Sequence, residues 1–346
     1  IVTLVLTKDV AIAFTAFAAA TCITTPFMNL LAVNLPLARI SRIASQCGGM
    51  VIGFPAVQHF CESNAVMMDS QDLFPKNTVT LNGIKTFKNT SIDDSLMEAA
   101  ALMIAAHSPL SSLFDQVIHT QHKKLPEVEK FSYTDGQGLS GWINGHRVFV
   151  GNRGLLSAHQ IEPPEEAIEQ KYIQGGKKLV YLAIGGELIA MLIITYSCDR
   201  RRLQELRRME NNGISLILRN CDPNITPAFL AELFGLDPHG IRVLPERLGA
   251  LYVSRTREAC DEKPAMIATK GRPTALMRLV TACVRERGNI SIAIVLQNVA
   301  VVLGFIMVAL LTCYSGLQQI STMSLIIYDF FWAMVIWLVP KLRKPL

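Results

Sequence analysis

The chain has 346 residues, 50% of them hydrophobic and only 18% charged, and its mean hydropathy is +0.32; so apolar a composition excludes intrinsic disorder and argues against a wholly soluble protein. The formal net charge of +5 is spread over both signs, without a long basic run or an aromatic-interleaved basic stripe, which sets nucleic acid aside as a partner. Charge is unevenly placed: Ile1 to Val57 carries only Lys8, Asp9, Arg39 and Arg42, and Gly288 to Leu346 only Asp329, Lys341, Arg343 and Lys344. The apolarity belongs to the two ends, and the middle has the composition of soluble domains with real cores. The eight cysteines form no CxxC or zinc-ligand spacing and read as reduced thiols of a cytosol-facing protein.

In chain order, Ile1 to Thr7 reads as the tail of a span and Lys8-Asp9 as a short outside loop; with Ile in first place and no signal peptide, the chain is expected to lack its N-terminal part. Val10 to Ala38 is free of charge and exceeds the roughly 20 residues that cross a bilayer as a helix. Pro26 interrupts it, and Asn34-Leu-Pro36 follows; such a break lines an ion site or only kinks the helix, and both readings stay open. Asn64 to Met68 is a short apolar run ending in Asp69, the strand-end position where open α/β sheets put their chemistry.

Ser95 to Ala106 reads as an Ala-rich helix, and Trp142 to Val150 alternates as a hairpin among glycine-punctuated pieces, Gly136-Gln-Gly138 and Gly151-Asn152. Leu203 to Met209 is helical; Ile214 to Leu218 is a strand running into Asn220-Cys-Asp222, then a helix from Thr226 to Phe234 closed by Gly235; Ala265 to Ala268 is a further short strand. The alternation predicts a parallel sheet. Gly288 to Tyr328 is charge-free and long enough for two spans, at about 290–313 and 320–340, turning near Tyr314. Arg39, Arg42, Arg285, Arg287, Lys341, Arg343 and Lys344 then share one side, the cytoplasmic one by the positive-inside tendency. Asp329 lies about 13 Å into the last helix, near mid-bilayer, where an acid reads by default as a cation site or proton relay.

In this order the pieces resemble a P-type ATPase, most closely the heavy-metal-transporting branch, from its fourth membrane helix to its sixth. The resemblance implies a multi-pass α-helical protein of the cell membrane with a cytoplasmic α/β domain of haloacid-dehalogenase type and an inserted α+β nucleotide-binding-like domain. The divisions are 1–57 (membrane helices and stalk), 58–79 (first part of the α/β domain), 80–180 (insert), 181–287 (remainder) and 288–346 (two membrane helices and a basic tail).

Asp69 stands at the phosphorylated aspartate of the family's DKTGTLT motif, with Ser70 where the motif has lysine. Pro109 in Ala106-His-Ser-Pro-Leu110, together with Gly136, Gly138, Gly151 and Asn152, matches the family's nucleotide-domain motifs, so ATP is the implied nucleotide. Asp199-Arg-Arg-Arg202 matches a family Asp-x-x-Arg. Asp222 survives from the TGD loop as the remaining acid near the sheet edge. The place of GDGxND, Ala265 to Leu276, has no carboxylate for Mg2+, and Pro245-Glu-Arg-Leu248 lacks the lysine of Pro-x-x-Lys. The family's transport ligands come from the proline helix and the last two helices, which points Asp329 toward Asn29, Asn34, Gln297 or Asn298 as an oxygen-rich cation site, with a protonated or helix-capping Asp329 facing Tyr328 and Ser324 as the alternative; Phe27-Met28-Asn29 in place of Cys-Pro-Cys makes a copper-type thiolate site unexpected.

Phosphoryl transfer to a carboxylate rests on positioning and on neutralisation by magnesium and a lysine, and each lost charged contact costs several kcal/mol of barrier. The expectation is a degenerate pump that keeps the architecture, lies in the lipid bilayer and acts as a regulator or partner of another protein. The alternative is a working cation pump phosphorylated on Asp69. A phosphatase using Asp69 would want a second acid at Gln71.

Overall fold

The structure, a computed structural model, describes residues 4–5, 8–24, 27–88, 92–114, 125–249, 251–255, 265–314 and 322–342. Its contacts divide the chain into two units: Ile1–Ser63 with Met266–Lys270 and Arg278–Leu346, and Asn64–Ala265 with Gly271–Met277.

The first unit is mostly apolar helix. The run read as one span over Val10 to Ala38 is two helices, Val10–Thr24 and Phe27–Cys47, separated at Pro26, which lies outside the described residues. Pro36 sits inside the second helix. Ala16, Ala19 and Ile23 pack against Val308, and Gly304 permits it: a Cβ there would come within 2.4 Å of Ile23 Cγ2. Small residues let apolar helices approach closely in this way.

The helix expected at 290–313 is the second part of one continuous helix, Pro273–Cys313, of 41 residues. It runs straight through Arg285-Glu286-Arg287, so the division placed at 287 falls in mid-helix. Local composition hid this, because a charged turn is compatible with helix as long as its side chains find partners. Glu286, only 4% exposed, lies 3.9 Å from Arg39 and accepts from Asn289 at 3.0 Å. Among the described residues one helix, Pro273–Leu311, is long and apolar enough to cross a membrane; Val10–Ile23 and Met323–Val339 are shorter apolar helices.

The strand expected at Ala265 to Ala268 exists as Ile267–Thr269, but it joins no parallel sheet. It pairs antiparallel with Gly49–Val51, and Ile52 N–H donates to Met266 O at 2.9 Å. A three-residue strand carries no pattern that names its partner; Gly49 does, since a Cβ there would lie 2.9 Å from Ala268 O.

The second unit holds two sheets. The smaller is parallel, in the order Ile241–Leu244, Ser215–Arg219, Ala65–Asp69. Its helices follow the sequence signals: Arg200–Asn211, and Pro227–Phe234 with Thr226 Oγ1 capping Phe229 N–H at 3.2 Å and Gly235 in the left-handed C-cap at φ 61°.

The larger sheet is antiparallel and six-stranded: Val79–Thr86, Glu187–Tyr196, Lys178–Ile184, His146–Gly151, Gly138–Ile143, Glu129–Thr134. The hairpin over Trp142 to Val150 turns at Asn144 and Gly145, both at positive φ (50° and 79°), the two-residue turn that matches strand twist. The sheet closes with Glu187–Tyr196 against Val79–Thr86, so it runs to Tyr196, past the division expected at 180. That pairing spans the whole insert and leaves no local trace.

Candidate functional site

Asp69 ends a strand whose Val66 and Met68 are buried, which puts its carboxyl at the sheet edge. In the parallel ladder its Cα partner is Arg219, the last residue of the neighbouring strand. Side chains in register on one face meet, and here they form a fork. Arg219 Nη2 donates to Asp69 Oδ2 at 2.8 Å, and Nε lies 2.6 Å from Oδ1 without hydrogen-bond geometry, so Oδ1 is held by charge alone. The guanidinium also lies 5.3 Å from the centre of the Tyr252 ring, a second restraint on its plane.

Ser70, 1% exposed, begins a one-turn helix, Ser70–Leu73. On it, burial and the charge of Asp69 push the Asp72 carboxyl above its ordinary range, against the pull of Arg202 and Arg219.

Asp69, Ser70, His107, Phe131, Tyr133, Arg219, Asn220, Cys221 and Glu246 line a cleft of about 220 Å³. Cys221 is no nucleophile here: its thiol donates to Ala106 O at 3.1 Å and burial pushes it up to about 12. His107 closes the preceding helix in a left-handed conformation, φ 52°.

Asp222 does not present a free acid to this cleft. It is 1% exposed; Oδ2 accepts from Tyr196 Oη and Oδ1 from Asn224 N–H at 2.9 Å. Asn220 closes the loop, its Oδ1 accepting Asp222 N–H at 3.0 Å and its Nδ2 donating to Ile225 O at 3.2 Å. Burial raises the Asp222 carboxyl to about 6, against the downward pulls of Tyr196 and Asn224. The acid read as a metal or water contact is a buried hub of its own loop, each of its oxygens accepting a hydrogen bond from within the protein.

The glycines read as a ligand cradle are filled by the chain itself. Gly138 and Gly151 are register partners; a Cβ on Gly151 would lie 2.3 Å from Gln137 O, and one on Gly138 would lie 2.5 Å from Gly151 Cα. Asn152 fastens the same turn, Nδ2 donating to Gly136 O at 2.7 Å and Oδ1 capping Leu155 N–H at 3.2 Å. Pro109 is buried in a 3-10 turn. Of the five residues assigned to nucleotide, Gly136 alone faces open space, with nothing within 4 Å of its missing Cβ.

The residues present do not fit magnesium held in the family's manner. Asp69 is engaged by Arg219, Asp222 by its own loop, and among the described residues no group of three or more His, Cys, Asp or Glu could hold a metal. In the helical unit Asp329 is half-buried, and of the candidates to face it Asn34 and Asn298 are exposed whereas Gln297 is 6% exposed, as befits neighbours on a helix turning about 100° per residue.

Arg219 and Tyr196 were missed by sequence reasoning. Arg219 abuts the recognised loop, and only the strand register reveals that it faces Asp69.

No family model matches the sequence. The copper-exporting P-type ATPase B of Archaeoglobus fulgidus is 25% identical over 223 residues, 64% of this chain and 32% of that protein. A copper-exporting P-type ATPase of Legionella pneumophila is 22% identical over 58% of this chain and 27% of that protein, and a silver exporting P-type ATPase of Salmonella typhimurium 20% identical over 65% and 28%. The chain thus spans about three tenths of the length of these curated relatives. A crystal structure of a zinc-transporting PIB-type ATPase in the E2.Pi state covers 91% of this chain and 55% of its own at 14% identity, with a TM-score of 0.42, a likeness too loose to carry an argument.

Proposed function

We propose, from the chain's kinship with the heavy-metal-transporting P-type ATPases, that it is a membrane protein of pump architecture whose ATP hydrolysis and cation transport are degraded, serving as a regulator or partner subunit with its soluble part in the cytoplasm. The observation that carries this reading is the fork between Arg219 and Asp69. A carboxylate attacks phosphorus with an oxygen lone pair, and a guanidinium that donates to one oxygen and holds the other by charge lowers their nucleophilicity and fixes their direction. Nothing else compensates: Ser70 brings no positive charge, and the segment from Ala265 to Leu276 brings no carboxylate. Adenine nucleotide, on this reading, uses the cleft walled by His107, Phe131 and Tyr133 and keeps its terminal phosphate.

A second reading has one observation in its favour. Arg219 supplies beside Asp69 the positive charge that Ser70 lacks, and such a charge could offset repulsion between carboxylate and phosphate in a working cation pump.

Purified protein incubated with terminally labelled ATP decides between them. The first reading expects acid-stable label below roughly one part in a hundred of the protein, since the loss of several charged contacts at several kcal/mol each removes many factors of ten. Stoichiometric label that disappears in both Asp69→Asn and Arg219→Gln would establish the pump and end the regulatory reading.

A further inference from the structure

Away from the Asp69 cleft, a pocket of about 550 Å³ is lined by Lys76, Arg201, Arg202, Arg272, Thr274 and Asp199 among others. We propose that it is an anion site for a phosphate or diphosphate group. Four cationic side chains converge there, and the one acid is already engaged: Arg202 Nη1 lies 2.8 Å from Asp199 Oδ2. Against the upward push of burial, that contact and the charge of Arg202 hold the Asp199 carboxyl below its ordinary range, so it stays ionised and paired to Arg202.

The helices around the pocket point the same way. Arg200–Asn211 starts with three arginines behind an N-cap acid, Asp199, and Pro273–Cys313 follows directly on Arg272 with no acid in its first turn. A helix N-terminus carries partial positive charge and favours acids; Asp199 meets that preference on the first helix, and Arg272 at the start of the second costs stability unless an anion is present. A local rule broken at the edge of a concavity lined by cations marks a site that serves something other than folding. Arginine forks suit phosphate oxygens, and a cleft of one sign focuses its field.

The position gives the anion something to act on. The chain leaves the parallel sheet through Pro75–Thr78 and returns through Ser197–Asp199. These two crossings are tied where Ser197 N–H donates to Thr78 O at 2.7 Å, and Arg202 Nε donates to Asp72 O at 2.8 Å. An anion held by Lys76 on one crossing and Arg201 on the other braces the hinge between the two sheets.

The test uses the full chain in a neutral detergent, with pyrophosphate as the probe in calorimetry. Saturable binding is expected, weakened about tenfold or more in Arg201→Glu/Arg272→Glu, whose side chains are both exposed so that folding is spared, and unchanged in Arg219→Gln. If pyrophosphate does not bind but phosphatidylglycerol, unlike phosphatidylcholine, raises the thermal midpoint of the wild type and not of the double variant, the phosphate comes from a lipid headgroup and the site stands. Binding retained by the double variant, binding lost in Arg219→Gln, or no response to either probe overturns the site.

Discussion

Replacing Gly151 by alanine is expected to open the six-stranded sheet at its middle. The added Cβ would lie 2.3 Å from Gln137 O, 2.6 Å from Leu155 Cδ2 and 3.1 Å from Gly138 Cα. Two of these three atoms are backbone, so no rotamer change relieves the contact. The strands must separate or the Gly136–Gly138 turn must move, and either breaks the bond from Asn152 N–H to Gln137 O, 2.9 Å long. Overpacking a tight site costs typically 1–3 kcal/mol, and with backbone on the far side a loss of about 3 kcal/mol is expected. Gly240→Ala, where a Cβ meets nothing within 4 Å, should stay within about 0.5 kcal/mol of wild type. Hydrogen exchange read by mass spectrometry localises the effect: Gly138–Ile143 and His146–Gly151 should lose protection first. Equal stability of the two variants would mean that the glycine pair is not a brace.

Asp222 should make the second unit less stable as pH rises from about 4 to about 6. Its carboxyl is raised from an ordinary 3.8 to about 6 by burial, so the folded state prefers the protonated form. The stability this confers is complete below the unfolded value and is lost as pH climbs through the folded one. A rise of about two units corresponds to roughly 3 kcal/mol. Asp222→Asn stays neutral throughout, so its stability relative to wild type should grow by about that amount between pH 4 and pH 6, as read by urea unfolding. Tyr196→Phe removes a hydrogen bond that lowers the value and should move the transition to higher pH. A difference between Asn and Asp that is flat with pH would sink the assignment.

These two sites show which parts of the molecule are written locally. The helix over Pro227–Phe234 could be read because Thr226 and Gly235 supply its two ends within ten residues of sequence. Asp69 could be read as a strand-end acid for the same reason. What decides its chemistry could not: Arg219 is 150 residues away and becomes its neighbour only through ladder register, which a five-residue strand with buried alternate positions leaves open. The glycines stand out in the sequence, yet whether backbone or ligand fills the space beside Gly138 and Gly151 depends on the strand opposite. In the helical unit, a one-residue difference separates exposed Asn298 from buried Gln297, and apolarity on nearly every side of that helix gives no moment from which to orient it.

The ribbon of Gly49–Val51 and Ile267–Thr269 has a consequence for how the chain could be cut. Because Ile52 N–H reaches Met266 O at 2.9 Å, what lies between those two residues is the loop of one oversized hairpin, save Gly53–Phe60, whose Val57 packs with Ile40 and Cys283 in the helical unit. The entropy of closing a loop grows only with the logarithm of its length. Most of the cost of bringing these two strands together would therefore be present with a far shorter connection. The segment Asn64–Ala265 is a cassette: excised and replaced by a few turn residues, it should leave a helical remnant that still knows where to fold.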